Sequence, residues 1–356
     1  MSMNVVHLLN NFDQGGAESL IYDFAVCSVS KKENWSFFLL SGKSPGDNVS
    51  RIQSLKKMGV PVYAMPNFII AIACIFKLCL RGKVDVLHSH NLRGLICACF
   101  CKIFFWKRVI VFTQHTSYLK RKRYHFFLKW LVNGYIAICK SAQESMLNNG
   151  IPQDKIHLVH NGVSEINKKD FFFPMVEGKN FVVVGRMVPE KNHAMLVDAV
   201  AKVARSRPEK KFAIWFFGDG PLREFIEGRA REQGVEERLK FLGSVSEAKS
   251  YLHNFDFFLM SSNVEGMPIS ALEALASGIP VMSTNVGGLF EIINQGRNGL
   301  IVPPDDVEEF SAAIQRILEE DLDVKYKESM KHAKADYSID GVMDKHSELY
   351  RCLVAI

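Results

Sequence analysis

Two glutamates stand eight positions apart in EGMPISALEALASGIPV, residues 265–281: Glu265 just before an apolar helix and Glu273 well inside it. Pro268 suits a first helical turn, Ala271, Leu272, Ala274, Leu275 and Ala276 supply small apolar residues, and Gly278 and Pro280 close the segment. A mid-helix carboxylate in such a segment would ordinarily face solvent, and a bound ligand is the alternative partner. Two cations have a related placement. In FVVVGRMVPEKNHAMLVDAV, Arg186 ends a strand and Lys191 precedes a helix for which Asn192 is the expected N-cap, so both can reach one diphosphate. FGDGP adds a glycine turn at Gly218 without the G-x-G-x-x-G spacing of a dinucleotide site, which argues against a nicotinamide enzyme. Nearer the N-terminus, NFDQGGAES puts Gly15 and Gly16 where a helix begins, giving backbone N–H groups an open approach to a phosphate or sugar, and QHTSY puts His115 at another strand end.

These residues need strands and helices to hold them. Short apolar runs alternate with helical patterns along the 356 residues, the signature of parallel βα units. NVVHLLN, WSFFLLS, VPVYAM, VDVLHSH, RVIVFTQH and GYIAIC read as strands in the first half; FVVVGR, KFAIWFFGDG, LKFLGS, DFFLMSS, IPVMSTN and GLIVPP read as strands in the second. Helices are expected near 192–205, 221–233 and 267–277. The polar and aromatic stretch 165–180 has no clear period and marks the boundary, so an N-terminal Rossmann-like domain is expected over 1–164, a linker or hinge over 165–180 and a second Rossmann-like domain over 181–339. Ligands of such sheets sit beyond the C-terminal ends of the strands.

Composition narrows the setting. The eight cysteines lie mostly inside apolar runs without paired metal spacing and read as reduced buried thiols, which suggests the cytosol. MSMNVVHLLNN reads as a first strand rather than a signal peptide. The apolar runs 67–80 and 94–106 are shorter than the roughly 20 residues of a membrane span. Residues 1–165 hold 20 Lys and Arg against 9 Asp and Glu, whereas the remainder holds 24 against 29. Lys120, Arg121, Lys122 and Arg123 beside Tyr124, Phe126 and Phe127 fit either a solvated face or an anionic membrane surface. No recognition motif accompanies the charge, so nucleic acid is not an expected partner.

Taken together, the GG turn, HSHN at 88–91, His115, HNGV at 160–163, GRMVPEKN, FGDGP, the E-x7-E segment and NVGGLFE at 285–291 resemble the retaining glycosyltransferases of family four. The resemblance runs along nearly the whole chain, although the loop reads EGMPIS where many relatives read EGFGLP. It implies the α/β GT-B fold, two Rossmann-like domains facing across a cleft with a C-terminal helix, 340–356, returning to the first. It also implies transfer of a hexosyl or N-acetylhexosaminyl group from a nucleotide sugar, a UDP-sugar rather than a GDP-sugar, to a glycan or polyprenyl-diphosphate-linked acceptor. Arg186 and Lys191 would compensate leaving-group charge, Glu273 would accept from the ribose hydroxyls, and Glu265 with Gly266, Met267, Pro268 and Ile269 would contact the transferred sugar. Gly16 and Gly218 would approach the donor, Gly15, Gly16 and His115 the acceptor, with His115 also orienting the donor sugar.

No metal or other cofactor is expected, since the sole Asp-x-Asp, Asp321 to Asp323, lies in a late polar region. The implied setting is bacterial surface-polysaccharide synthesis, peripheral to the inner face of the cytoplasmic membrane. A nucleotide-sugar epimerase of similar fold would bind the donor without an acceptor. A non-catalytic partner subunit would be expected to lose Arg186, Lys191 or a glutamate, and all four are present.

Overall fold

The computed structural model describes residues 3–12, 15–40, 46–119, 122–320, 322, 326 and 337–355. The chain divides into two compact units, residues 1–164 with 338–356, and residues 165–337.

The first unit alternates β1 (Asn4–Leu9), α1 (Gly16–Ser30), β2 (Asn34–Leu39), α2 (Gly46–Lys57), β3 (Val62–Ala64), α3 (Phe68–Leu80), β4 (Val86–Ser89), α4 (Leu92–Phe104), β5 (Val109–Gln114), α5 (Lys122–Leu128), β6 (Gly134–Ala137), α6 (Lys140–Asn148) and β7 (Ile156–Leu158). The strands form one parallel sheet in the order β3-β2-β1-β4-β5-β6-β7. Its three-residue strand β7, IHL, has too short an apolar run to stand out in the sequence. Because parallel crossovers are right-handed, the reversal of strand order at β1/β4 puts α1 and α2 on one face and α3 to α6 on the other. Gly94 of α4 shows the second packing: a Cβ there would lie 2.8 Å from Leu8 Cβ, tighter than side chains pack.

In the second unit, β8 (Lys179–Val184), α7 (His193–Ser206), β9 (Phe212–Phe217), α8 (Arg223–Glu232), β10 (Leu239–Phe241), β11 (Phe257–Met260), α9 (Ile269–Ser277), β12 (Val281–Thr284), α10 (Leu289–Ile292), β13 (Gly299–Val302) and α11 (Val307–Glu319) follow in turn. The sheet order is β10-β9-β8-β11-β12-β13, reversing at β8/β11. The core gathers Phe181, Val183, Leu196, Val200, Ile214, Phe257 and Ile314, joining α7 and α11 to one face of the sheet.

Residues 165–178 belong to this second unit. Phe171 packs its ring 5.2 Å from Trp215, 5.6 Å from Phe217 and 5.0 Å from Phe255, so the aromatic stretch expected to be a linker is partly a packed cover. The last helix, α12 (Ile339–Ala355), belongs to the first unit: Ile339 N–H donates to the Val163 carbonyl, and His346 sits edge-on to Phe24 of α1.

Candidate active site

In the second unit the expected donor residues collect at the β8/β11 reversal, where two loops leaving adjacent strands diverge in opposite directions. After β8 come Gly185, exposed Arg186 and a short 3-10 turn, Pro189–Lys191. Asn192 then takes a left-handed conformation, φ 46°, and does not cap α7 with its side chain; its amide donates instead to Asn263 and Asp305, at 3.0 Å each. The β11 loop is tied to this one by Ser261 Oγ donating to the Lys191 carbonyl at 2.9 Å and Asn263 N–H donating to the Glu190 carbonyl at 2.8 Å.

Lys191 and Glu265 meet in this frame. Lys191 Nζ lies 2.5 Å from Glu265 Oε1, and Ser262 Oγ donates to the same oxygen at 2.6 Å. Their side chains are 23% and 10% exposed, so the pair is shielded on most sides but still open to a ligand. The Lys191 stem runs beside Gly185. A third loop closes around the glutamate: Gly288 N–H donates to the Gly266 carbonyl at 2.6 Å, and Gly287 sits at φ +60°. Glu273 is half-buried on α9, whose N-terminus is at Pro268, behind buried Met267 and Ile269. Ser262 was not legible as a site residue, because a serine two positions past a strand carries no distinctive spacing.

Glycine is required where backbones touch. A Cβ on Gly218 would lie 1.9 Å from the Gly185 carbonyl oxygen, so this glycine lets β9 press against the loop that carries Arg186. A Cβ on Gly287 would lie 2.3 Å from the Glu265 carbonyl oxygen. Gly287→Ala combines that overlap with left-handed strain and should destabilise the second unit by roughly 2–4 kcal/mol. Gly228→Ala, in the open interior of α8, should stabilise it by about 0.5–1 kcal/mol. Urea denaturation of both variants checks the contrast; equal effects would mean that the Glu265 loop yields freely.

The first unit holds Gly15, Gly16 and His115. Gly15 precedes α1 and His115 follows β5, both beyond strand C-termini. The parallel register pairs His7 with His88 and His88 with Val111, and the period of two then puts His7, His88, His90, Thr113 and His115 on one face. His7 Nδ1 and His90 Nε2 are 3.0 Å apart, as are His90 Nδ1 and His115 Nε2. A neutral imidazole has one N–H, so this three-ring chain must donate in a single direction throughout. Its two outer nitrogens, His7 Nε2 and His115 Nδ1, are buried without a hydrogen-bond partner among the described residues. Both His115 nitrogens therefore point inward in this conformation, and contact with a sugar through the ring requires it to turn. A cavity of about 10 Å³, the size of one water site, lies beside His90, His115, Asn161 and His346.

His7, His88 and His90 each bring a ring nitrogen within 4.8 Å of the others, as metal ligands would. His88, however, spends both nitrogens, on Tyr350 OH and Thr113 Oγ1 at 2.6 Å, and an ion would have to displace these bonds. Burial holds His7 at about 3 and His115 at about 4, with the neighbouring His346 adding to both shifts. Asp321 and Asp323 lie outside the described residues, as do Lys120 and Arg121; of Lys122 and Arg123 only the backbone, at the start of α5, is described.

Two parallel sheets, each reversing strand order beneath a cluster of polar side chains, define a GT-B protein. Residues 14–165 match the family described as Glycosyltransferase Family 4, and residues 178–320 that described as Glycosyl transferases group 1. The chain thus carries an N-terminal domain of the first family and a C-terminal domain of the second, both glycosyltransferase domains. It is 28% identical over 242 residues to a phosphatidylinositol N-acetylglucosaminyltransferase component of Arabidopsis thaliana, covering 64% of this chain and 53% of that protein. With a glycosyltransferase of Methanocaldococcus jannaschii, also 28% identical, the match covers 61% of this chain and 59% of the relative, so the chain spans a little over half the length of these two. An Escherichia coli UDP-Gal:alpha-D-GlcNAc-diphosphoundecaprenol alpha-1,3-galactosyltransferase is 25% identical over 302 residues, 78% of this chain and 77% of that one. Among solved structures, Anabaena HepE in complex with UDP and glucose superposes with a TM-score of 0.83 at 18% identity, covering 98% of this chain and 100% of that one.

Proposed function

We propose that the protein moves a hexosyl or N-acetylhexosaminyl group, with retention and without a metal, from a nucleoside diphosphate sugar to a glycan or polyprenyl-diphosphate-linked acceptor. The observation that carries this reading is the Lys191–Glu265 pair at the β8/β11 reversal, with Arg186 exposed on the same loop as Lys191. A departing nucleoside diphosphate gains negative charge as the glycosidic bond breaks, and fixed cations aimed at it favour the transition state over the ground state. Arg186 and Lys191 supply that charge from protein, which leaves no step that requires an ion. Glu273 offers two acceptor oxygens to the vicinal ribose diol, and Glu265 with the Gly266–Ile269 backbone meets the sugar. Retention follows from same-face attack on an oxocarbenium-like ion pair, the departing phosphate taking the acceptor proton.

A UDP-linked donor and a lipid-linked acceptor are supported by the E. coli relative, named for a UDP-Gal donor and a diphosphoundecaprenol acceptor, and by the UDP complex of HepE. The enzyme works at the inner face of a cytoplasmic membrane, attached peripherally; among the described residues no helix is long and apolar enough to cross one.

The test is a thermal-shift screen of UDP-, GDP- and ADP-sugars with product analysis. A ligand at about 100 times its dissociation constant stabilises by roughly 2.7 kcal/mol, and Glu273→Ala should abolish most of that gain. Transfer should persist in EDTA. An epimerised sugar formed without acceptor would replace this reading with the epimerase, and absence of any nucleotide-dependent shift would replace it with the non-catalytic partner.

A further inference from the structure

Helices α3 and α4 lie together on one face of the first sheet, with Phe76 ringed at 5.5 Å by Phe104 and at 4.8 Å by Phe105. The inward side of the pair is ordinary core, including Ala71, Ile75, Leu95, Cys97 and Cys101. Its outward side is apolar too. Ile69 is 77% exposed, Leu80 67% and Trp106 74%, with Phe100, Ile103 and Phe104 also exposed between them; Phe127 and Trp130, after the next crossover on the same face, are 74% and 76% exposed. The ends of α3, α4 and α5 converge where β4, β5 and β6 begin. Arg108 Nη2 there donates to the Cys79 carbonyl, and Lys102 donates to Asn133.

The charge on this stretch is as one-sided as its apolarity. Residues 66–133 contain 12 Lys and Arg and a single acid, Asp85, whose carboxylate lies 3.9 Å from Arg108. Lys77, Arg81, Lys83 and Lys107 are exposed, and Lys107 and Lys129 lie over the rings of Trp106 and Trp130 at 5.5 and 5.6 Å. Isolated exposed apolar residues are ordinary, but eight on successive helices of one sheet face, two of them tryptophans with a lysine over each ring, make a surface suited to an apolar, anionic partner. At 1.5 Å per residue the 13-residue α3 is about 20 Å long, too short to cross a hydrocarbon core of about 30 Å. Tryptophan rings and lysine stems suit the depth at which headgroups meet acyl chains.

We infer that the outer face of α3 and α4, with Trp106, Phe127 and Trp130, docks on an anionic phospholipid bilayer and holds the first unit there. This deepens the peripheral attachment named above and places it on a larger surface than the basic run 120–123.

Two of the four tryptophans, Trp35 and Trp215, are buried, so Trp106 and Trp130 dominate any lipid-dependent fluorescence change. Vesicles of phosphatidylglycerol and phosphatidylcholine carrying brominated acyl chains should quench that emission and co-sediment the protein at low salt, whereas pure phosphatidylcholine should do neither well. Ile103→Glu with Trp106→Ala should weaken partition at least tenfold, and Lys83→Gln with Lys107→Gln should lower it for anionic vesicles only. Because all four positions are exposed, circular dichroism should be unchanged. UDP-sugar thermal shifts should also be unchanged, which separates failure of docking from failure of the transferase reading. Absence of quenching with either lipid would overturn the inference. Sedimentation velocity revealing a dimer that Ile103→Glu abolishes would assign the face to a second copy of this chain instead.

Discussion

Lys191→Ala should lower kcat/KM by about 10²- to 10³-fold, the scale on which loss of one aimed charge or donor costs roughly 2.7–4 kcal/mol of transition-state stabilisation. The geometry adds a second expectation. Lys191 is already paired with Glu265 at 2.5 Å, so an incoming diphosphate must share the ammonium with a carboxylate. Glu265 therefore holds Lys191 in place while weakening its pull on product. Glu265→Gln keeps the shape and the Ser262 bond but removes the charge. It should bind UDP more tightly than the parent while turning over more slowly, and Glu265→Ala should slow turnover without the tighter binding, since the lysine is then no longer held. The two positions touch, so Lys191→Ala combined with Glu265→Gln should fall short of additivity by roughly 0.5–3 kcal/mol. Steady-state kinetics with UDP calorimetry on the four-member cycle tests this. Additive losses, or UDP affinity unmoved by Glu265→Gln, would show that the ion pair is not coupled to the leaving group.

Most of the cluster at the β8/β11 reversal was legible because each residue sits at a punctuation mark of the fold. Arg186 follows a strand with a clear apolar run, Lys191 precedes a helix, and Glu265 and Glu273 bracket a helix start. What was not legible depends on which loop meets which. Nothing local in VPEKN announces that Asn192 turns left-handed to reach Asn263 and Asp305, 71 and 113 residues away, because that conformation is fixed by partners from other strands. Similarly, Phe171 lies in a segment with no period and reads as linker, yet its ring packs on Trp215 and Phe255, strands apart in sequence. The histidine chain was half legible. HSHN and His115 stood out, but VVHLL reads as an unremarkable apolar strand until the β1/β4 register puts His7 beside His88. An alignment of the three strand ends by phase, VVHLL with VLHSH and VFTQH, is the signal that would have found it.

Buried histidines, within that chain and outside it, make the first unit acid-sensitive. Burial holds His7 at about 3 and His115, His125 and His346 each at about 4, against about 6.5 in an unfolded chain. Between those values the unfolded chain binds the additional protons, so stability is fully present above pH 6.5 and is lost as pH falls toward 4. At pH 5.5 each such histidine costs about 1.2 kcal/mol relative to pH 7, or roughly 4–5 kcal/mol for the four, a large part of the 5–15 kcal/mol that holds a domain together. His88 and His90 are also held well below 6.5, by burial first and then by neighbouring histidines, His90 acting on His88 and His115 on His90, and add in the same direction. In the second unit, among the described residues, His193 is the corresponding strongly shifted histidine, at about 4, so that unit should lose much less. Hydrogen exchange followed unit by unit at pH 7, 6 and 5.5 should therefore show protection falling first across β1, β4, β5 and α12. His7→Phe, which keeps an aromatic ring against Trp35 and Phe37 but cannot be protonated, should flatten the slope by about one quarter of the four-histidine total. Equal acid loss in both units, or a slope untouched by His7→Phe, would mean that the imidazoles take up protons without unfolding, for instance by the His115 ring turning outward to meet solvent or substrate.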